Sequence, residues 1–203
     1  MFDELRDHWC CRPDRPFYSW QITFADCLEV AALQLSYAKL IDELPGFTAV
    51  PPQWLHLTVH GVGFTDRVPD SDLADIVEAT HKRVARLSAF PVTVGPAVLD
   101  PESIQLPVRP IGPFQQLRDL VRGAIFDVWG EDSVPRLPEI DPHITLAYSY
   151  LQASAAPIAA RLHAYPERST TSSISALTLL SLTRTDRLYH WTQKITIPFG
   201  TPD

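Results

Sequence analysis

Cysteine is scarce, with three among 203 residues: Cys10, Cys11 and Cys27. The number is odd, adjacent cysteines rarely pair with each other, and no second pair stands at zinc spacing, so no disulfide framework is expected. The cluster also offers too few ligands for a zinc site. The three read as reduced thiols of a cytoplasmic protein. Long apolar runs are missing as well. Nowhere do about 18 apolar residues follow one another, which excludes an expected helical membrane span. The acidic N-terminus, MFDELRDHWC, lacks an apolar stretch of signal-peptide length. Positive charge is in deficit: 17 Lys and Arg stand against 24 Asp and Glu, for a net charge of −7. This argues against tight, sequence-blind binding to long duplex nucleic acid, which rests on many cationic contacts to phosphate. One phosphate, or a short strand end in a local pocket, stays within reach.

What is present is an ordinary globular composition, 45% apolar and 20% charged, with 19 prolines placed as punctuation. Phe17 to Phe24 (FYSWQITF) reads as a strand. Asp26, with Glu29 three residues on, is the expected N-cap of a helix bearing Val30, Leu33, Tyr37, Ile41 and Leu44 at helical spacing. Pro45-Gly46 ends it. A short strand is expected from Trp54 to Val59, with Gly61 and Gly63 loosening the chain after it. Asp70 or Ser71 is expected to cap a second helix with Leu73, Ile76, Val77, Thr80, Val84 and Leu87 on one face. Pro91–Leu99 and Ser103–Val108 read as a hairpin. Phe114, Leu117, Leu120, Val121, Ala124, Ile125 and Val128 define a third helix. A strand from His143 to Tyr148, an Ala-rich helix around Ala155–His163, and two long strands, Ser173–Thr183 and Leu188–Ile197, complete the chain. The mixture of helices with hairpin-like connections predicts an α+β fold.

Two segments of this chain match without gaps 87 residues apart, VPPQWLHLTV (50–59) and LPEIDPHITL (137–146). Each is a short apolar strand carrying His-x-Thr. Side chains alternate between faces of a strand. His56 and Thr58 therefore share one face while Leu55, Leu57 and Val59 take the other. His143 and Thr145 likewise oppose Ile144, Leu146 and Tyr148. Side by side, the strands would join two imidazoles and two hydroxyls in one polar site. Imidazole titrates near neutrality, so one can take a proton while the other gives one. The hydroxyls can donate to phosphate oxygens as charge builds on them. Opening a cyclic phosphodiester requires these acts, and neither a metal nor a cofactor.

With these residues the chain resembles the 2H phosphoesterase superfamily, and within it the bacterial 2′-5′ RNA ligase-like and cyclic phosphodiesterase branch. The resemblance rests on His56-Leu57-Thr58-Val59 and His143-Ile144-Thr145-Leu146 and extends in element order from about Phe17 to Gly200. It implies one bilobal α+β domain over residues 1–203 with an internal pseudo-two-fold, antiparallel-rich sheets lining a central groove and helices outside. It implies His56 and His143 as catalytic acid and base, with His143 the base and His56 the acid, and Thr58 and Thr145 as phosphate binders. It further implies opening of 2′,3′-cyclic phosphates on RNA ends or nucleotides to 2′-phosphates. Reversible 2′-5′ RNA ligation, or a non-catalytic role in binding RNA ends or nucleotides, are the alternatives.

Other residues compete for a role. His60 would share the face of His56 if its strand continued, but Gly61 is expected to end the strand, and no acidic third ligand stands near in sequence. His8, His81, His163 and His190 lack a matching context and read as surface or structural. Arg109, Arg184 and Arg187 could each approach a substrate phosphate, although solvated turn charge is the plainer reading. Tyr18, Trp20, Trp54 and Trp191 are candidates for stacking on a base, though core and groove wall are the plainer roles. The partner expected is an RNA 2′,3′-cyclic phosphate end or a small cyclic nucleotide, bound by a monomer. Residues 1–16 are expected to be a loosely attached lead, and sequence leaves open whether they cover the groove.

Overall fold

Each half of the molecule begins as strand, helix, strand. In the first half these are β2 (Phe17–Thr23), α1 (Leu28–Asp42) and β4 (His56–Phe64), with the short β3 (Phe47–Ala49) on the way. In the second they are β7 (Ser103–Arg109), α3 (Gly112–Trp129) and β8 (His143–Ser149). Between the halves lie α2 (Asp70–Val84), β5 (Phe90–Val94) and β6 (Val98–Asp100). The remaining elements are β1 (Glu4–Leu5), β9 (Ala153–Ser154), α4 (Ala156–His163), β10 (Thr170–Ile174), β11 (Ala176–Thr185) and β12 (Leu188–Pro198). The computed structural model describes residues 2–10, 14–134 and 137–200. Cys11 lies outside them, and Cys27 is a free thiol.

The strands form two main sheets, antiparallel throughout. One runs β10-β5-β7-β8-β3 with β6 beside β7, and the other runs β12-β11-β2-β4. The helices cross over between halves. α1 packs on β10 and β3 of the first sheet, whereas α3 packs on β4 of the second and on α2. The apolar stripes read from sequence are the faces used: Val30, Leu33, Tyr37 and Ile41 on α1, and Phe114, Leu117, Val121, Ala124 and Ile125 on α3, are all buried. Each fully buried Leu or Phe side chain contributes about 1.5–3 kcal/mol relative to exposure. The fold is α+β, as expected, and no helix of the described residues is long and apolar enough to cross a membrane.

Several boundaries differ from expectation. The cap of α1 is Cys27, whose N–H bonds the carbonyl of Phe24 at 3.1 Å, so Asp26 sits inside a turn one residue too early. Pro69 occupies the cap position of α2, and Asp70 and Asp72 lie in its first turn, where they complement the helix dipole. The strand expected from Ser173 is two strands, because the chain changes sheets at Ser175: β10 pairs with β5, and β11 with β2 and β12. Asp186 and Arg187 take left-handed conformations (φ 54° and 59°) in a two-residue turn, which lets β11 and β12 pair through Thr185 and Leu188. Part of the lead, within residues 2–10, packs against the body. Glu4 and Leu5 pair with Ser154 and Ala153, Leu5 is 1% exposed, and the His8 N–H bonds the Ser149 carbonyl at 2.9 Å.

The largest departure is in β4, which runs through Gly61 and Gly63 to Phe64. It does so by bulging. Gln21 pairs with Thr58 but Trp20 pairs with His60, so Val59 is the extra residue. The same bulge recurs in β8, where Gln105 pairs with Thr145 and Ile104 with Ala147, leaving Leu146 extra. Each bulge reverses the alternation beyond it.

Candidate active site

Because of the bulge, His60 leaves the face of His56 and Thr58 and turns inward with Trp20; it is 5% exposed. Its Nδ1 lies against the Gly61 carbonyl at 2.5 Å, and burial holds its pKa below the ordinary histidine value. In β8 the corresponding bulge has the reverse effect. Tyr148, expected on the core face, is returned to the side of His143 and Thr145.

His56, Thr58, His143 and Thr145 line a single groove of about 620 Å³ between the two sheets. Cavities of this size suit small ligands. Thr58 is exposed to the groove, whereas Thr145 is buried at its floor. The two imidazoles are held alike. His56 Nδ1 lies 2.9 Å from the Trp54 carbonyl, and His143 Nδ1 lies 2.7 Å from that of Asp141. A carbonyl only accepts, so each Nδ1 carries hydrogen and each Nε2 is left for proton exchange. Their surroundings differ. The Trp191 ring stands edge-on to His56 at 5.2 Å, with Trp54 at 4.7 Å from Trp191. Burial lowers the His56 pKa, the Trp54 hydrogen bond opposes this, and the charge of His143 adds to the lowering.

The register shows how far the halves repeat each other. Thr23–His56, Ile22–Leu57, Gln21–Thr58, Trp20–His60 and Ser19–Gly61 in the first half match Pro107–His143, Leu106–Ile144, Gln105–Thr145, Ile104–Ala147 and Ser103–Tyr148 in the second. Sequence reading missed Ser19, Gln21, Ser103 and Gln105, which line the groove beside the threonines. A signal for them existed: Ser-x-Gln recurs 84 residues apart, once in the strand paired with each His-x-Thr.

The repeat is imperfect where Gly61 of one half corresponds to Tyr148 of the other. The groove lining also includes Arg15, Phe17, Phe64, Leu182 and Arg184, with the Arg184 guanidinium over the Tyr189 ring. Tyr148, Tyr189, Glu102 and His8 form one contiguous end of it. His8, set aside from sequence, spans this end: Nδ1 is 3.1 Å from Glu102 and Nε2 is 2.9 Å from the Tyr189 hydroxyl. Of the three arginines weighed, only Arg184 lines the groove. Arg109 is paired with Asp141, and Arg187 lies over the Tyr150 ring. Trp20 is fully buried core, and neither Tyr18, Trp54 nor Trp191 belongs to the groove lining. Among the described residues no three His, Cys, Asp or Glu side chains converge as a metal-binding group.

The chain is similar to several solved structures over nearly its whole length. TT0787 of Thermus thermophilus superimposes with a TM-score of 0.70 at 18% identity, covering 92% of this chain and 100% of that one. Escherichia coli LigT in apo form gives 0.65 at 15% identity, covering 93% and 100%. LigT complexed with 3′-AMP gives 0.66 at 14% identity, covering 92% and 99%. These likenesses establish the fold. No curated protein matches the sequence. Residues 26–186, a span that holds both His-x-Thr strands, match the 2′-5′ RNA ligase superfamily, and the chain belongs to that superfamily of 2H phosphoesterases.

Proposed function

We propose that this chain is a metal-independent phosphoesterase that opens 2′,3′-cyclic phosphates on RNA ends or nucleotides to 2′-phosphates. The observation that carries the reading is the duplicated histidine: two imidazoles in one groove, each with Nδ1 tied to a carbonyl two residues back and Nε2 left over. In the reaction, a water oxygen attacks phosphorus as one Nε2 takes its proton. The bond from phosphorus to O3′ breaks, and the second imidazolium protonates that oxygen. The product is a 2′-phosphate with a free 3′-hydroxyl. Thr58 and Thr145 donate to the non-bridging oxygens as negative charge grows on them.

Burial supports a division of labour opposite to the one the family resemblance implies. The charged form of His56 is disfavoured by desolvation and by His143, so His56 enters the reaction neutral and acts as the base. His143 then supplies the proton to the leaving oxygen. Joining or cleaving a 2′-5′ linkage would use the same two groups, and the name of the matched superfamily favours it as the second reading. The LigT complexes with 3′-AMP and with ATP support a ligand of nucleotide size.

The test is turnover of the four 2′,3′-cyclic nucleotides and of a 2′-5′-linked dinucleotide in excess EDTA. Release of nucleoside 2′-phosphate is expected. Production of 3′-phosphate alone, or activity that EDTA abolishes, would rule the mechanism out.

A further inference from the structure

The Ser-x-Gln pairs have a polarity that decides what they bind. Ser19 Oγ donates to the His60 carbonyl at 3.2 Å, and Gln21 Nε2 donates to Ser19 Oγ at 2.8 Å. On the other side Ser103 Oγ lies 3.5 Å from Asp100 Oδ1, and Gln105 Nε2 donates to Ser103 Oγ at 2.8 Å. Both relays end on an atom that only accepts, a carbonyl in one case and a carboxylate in the other. Each serine therefore spends its proton outward and receives one from its glutamine. Each carboxamide keeps one Nε2 hydrogen and its oxygen outside the relay, and the oxygen is the acceptor left without a partner. That of Gln21 is buried and has no hydrogen-bond partner among the described residues. Gln21 and Gln105 are 1% and 9% exposed, and both line the groove.

An amide oxygen repels a phosphate oxygen and needs an O–H or N–H donor from its ligand. Gln21 stands directly opposite Thr58, and Gln105 opposite Thr145. Paired positions of adjacent strands have Cβ atoms about 5 Å apart. With the threonines on the phosphate, the glutamines fall one side-chain width away, within reach of a group on the carbon next to the one bearing the phosphate. In a ribonucleotide that group is the vicinal hydroxyl, which is a donor.

We propose that Gln21 and Gln105, oriented by Ser19 and Ser103, are specificity-determining residues that accept a hydrogen bond from the ribose hydroxyl beside the phosphate and do not bind the phosphate itself. The proposal rests on the groove being the nucleotide site and names the sugar it selects. A cyclic phosphate has both oxygens esterified, so the contact forms as the ring opens, with the hydroxyl freed beside the phosphate in the product.

Calorimetric titration tests it with three probes: adenosine 2′-phosphate, 3′-deoxyadenosine 2′-phosphate and inorganic phosphate. The wild type is expected to bind the hydroxyl-bearing nucleotide roughly tenfold more tightly than the deoxy one, the value of one satisfied buried acceptor. Gln21→Met and Gln105→Met keep the side-chain volume and remove the acceptor. At least one of them should erase most of that preference while leaving phosphate affinity within about twofold. Gln105→Met, at the less buried position, carries the test alone if Gln21→Met does not fold. Ser103→Ala frees the amide to flip and should weaken the preference in part. Equal binding of both nucleotides by the wild type would overturn the proposal, as would a preference surviving both methionine variants. A loss of phosphate affinity matching the loss of nucleotide affinity would overturn it too, since the glutamines would then be phosphate ligands. Cyclic phosphate turnover, measured alongside, separates the two readings: turnover without sugar preference defeats this one alone, and sugar preference without turnover defeats only the hydrolytic one.

Discussion

His143 repeats, 87 residues later, the hydrogen bond that His56 makes: each directs Nδ1 to the carbonyl two residues before it, Trp54 in one case and Asp141 in the other. The shared tether gives both imidazoles the same tautomer, and burial lowers the pKa of His56.

Replacing either imidazole should stop turnover without unfolding the protein. His56→Ala and His143→Ala are each expected to lower kcat roughly 10²–10⁴-fold on 2′,3′-cyclic nucleotides, with near-native circular dichroism. Turnover that survives one of the substitutions would remove that histidine from the mechanism.

The pH profile should report which imidazole is the base. If neutral His56 takes the proton from water, the acidic limb of kcat/KM falls below the ordinary histidine value of 6.5. Trp191→Ala admits water beside His56 and is expected to move that limb upward. A limb indifferent to Trp191 would point to His143 as the base.

Stability should depend on pH in the same region. The folded-state pKa values of His56 and His60 are lowered, in both cases mainly by burial. Below 6.5 the unfolded chain therefore binds protons that the folded chain refuses, and stability falls as pH drops from 6.5 through the lowered values. Urea midpoints at about pH 5 and about pH 7.5 measure this. His60→Asn is expected to flatten the difference, because His60 contributes to it from within the core.

Removing a threonine hydroxyl should cost catalysis rather than fold at the exposed position. Thr58→Val is expected to lower kcat roughly 10–100-fold, the worth of one hydrogen bond to a charged group, and to leave the melting temperature nearly unchanged. A fall in stability with normal kcat would show Thr58 to be merely a strand residue.

The lead segment should behave as part of the body. Leu5 is 1% exposed, and Leu5→Ala is expected to cost about 2–5 kcal/mol. Equal denaturant midpoints for wild type and variant would mean that the segment detaches in solution.

Local chemistry written in the chain determined a great deal. The gapless match around His56-x-Thr58 and His143-x-Thr145 identified the strands that line the groove, because an apolar face and a polar face alternate in any strand, whatever it pairs with. The stripes of α1 and α3 were legible for a similar reason: helical spacing is a property of the segment itself. Asp26 and Gly61 misled because a cap and a strand end depend on neighbours. A turn bond from Cys27 to Phe24 displaced the first, and pairing with Ser19 carried β4 through the second.

Only tertiary structure decided where the residues after each His-x-Thr point. Period-2 alternation would put His60 with His56 in a strand continued past it and put Tyr148 away from His143, whereas a bulge at Val59 and another at Leu146 give the opposite sides. A bulge is a property of two paired strands, since it arises when one residue faces two, so no single segment announces it. The same holds for Gln21 and Gln105. Their Ser-x-Gln pattern is visible once known, but its meaning comes from standing across from the threonines, on strands that the fold brings together. The sequence by itself marked the two His-x-Thr strands; the pairing of strands determined which groups they meet, because register is set by long-range contacts that local preference does not contain.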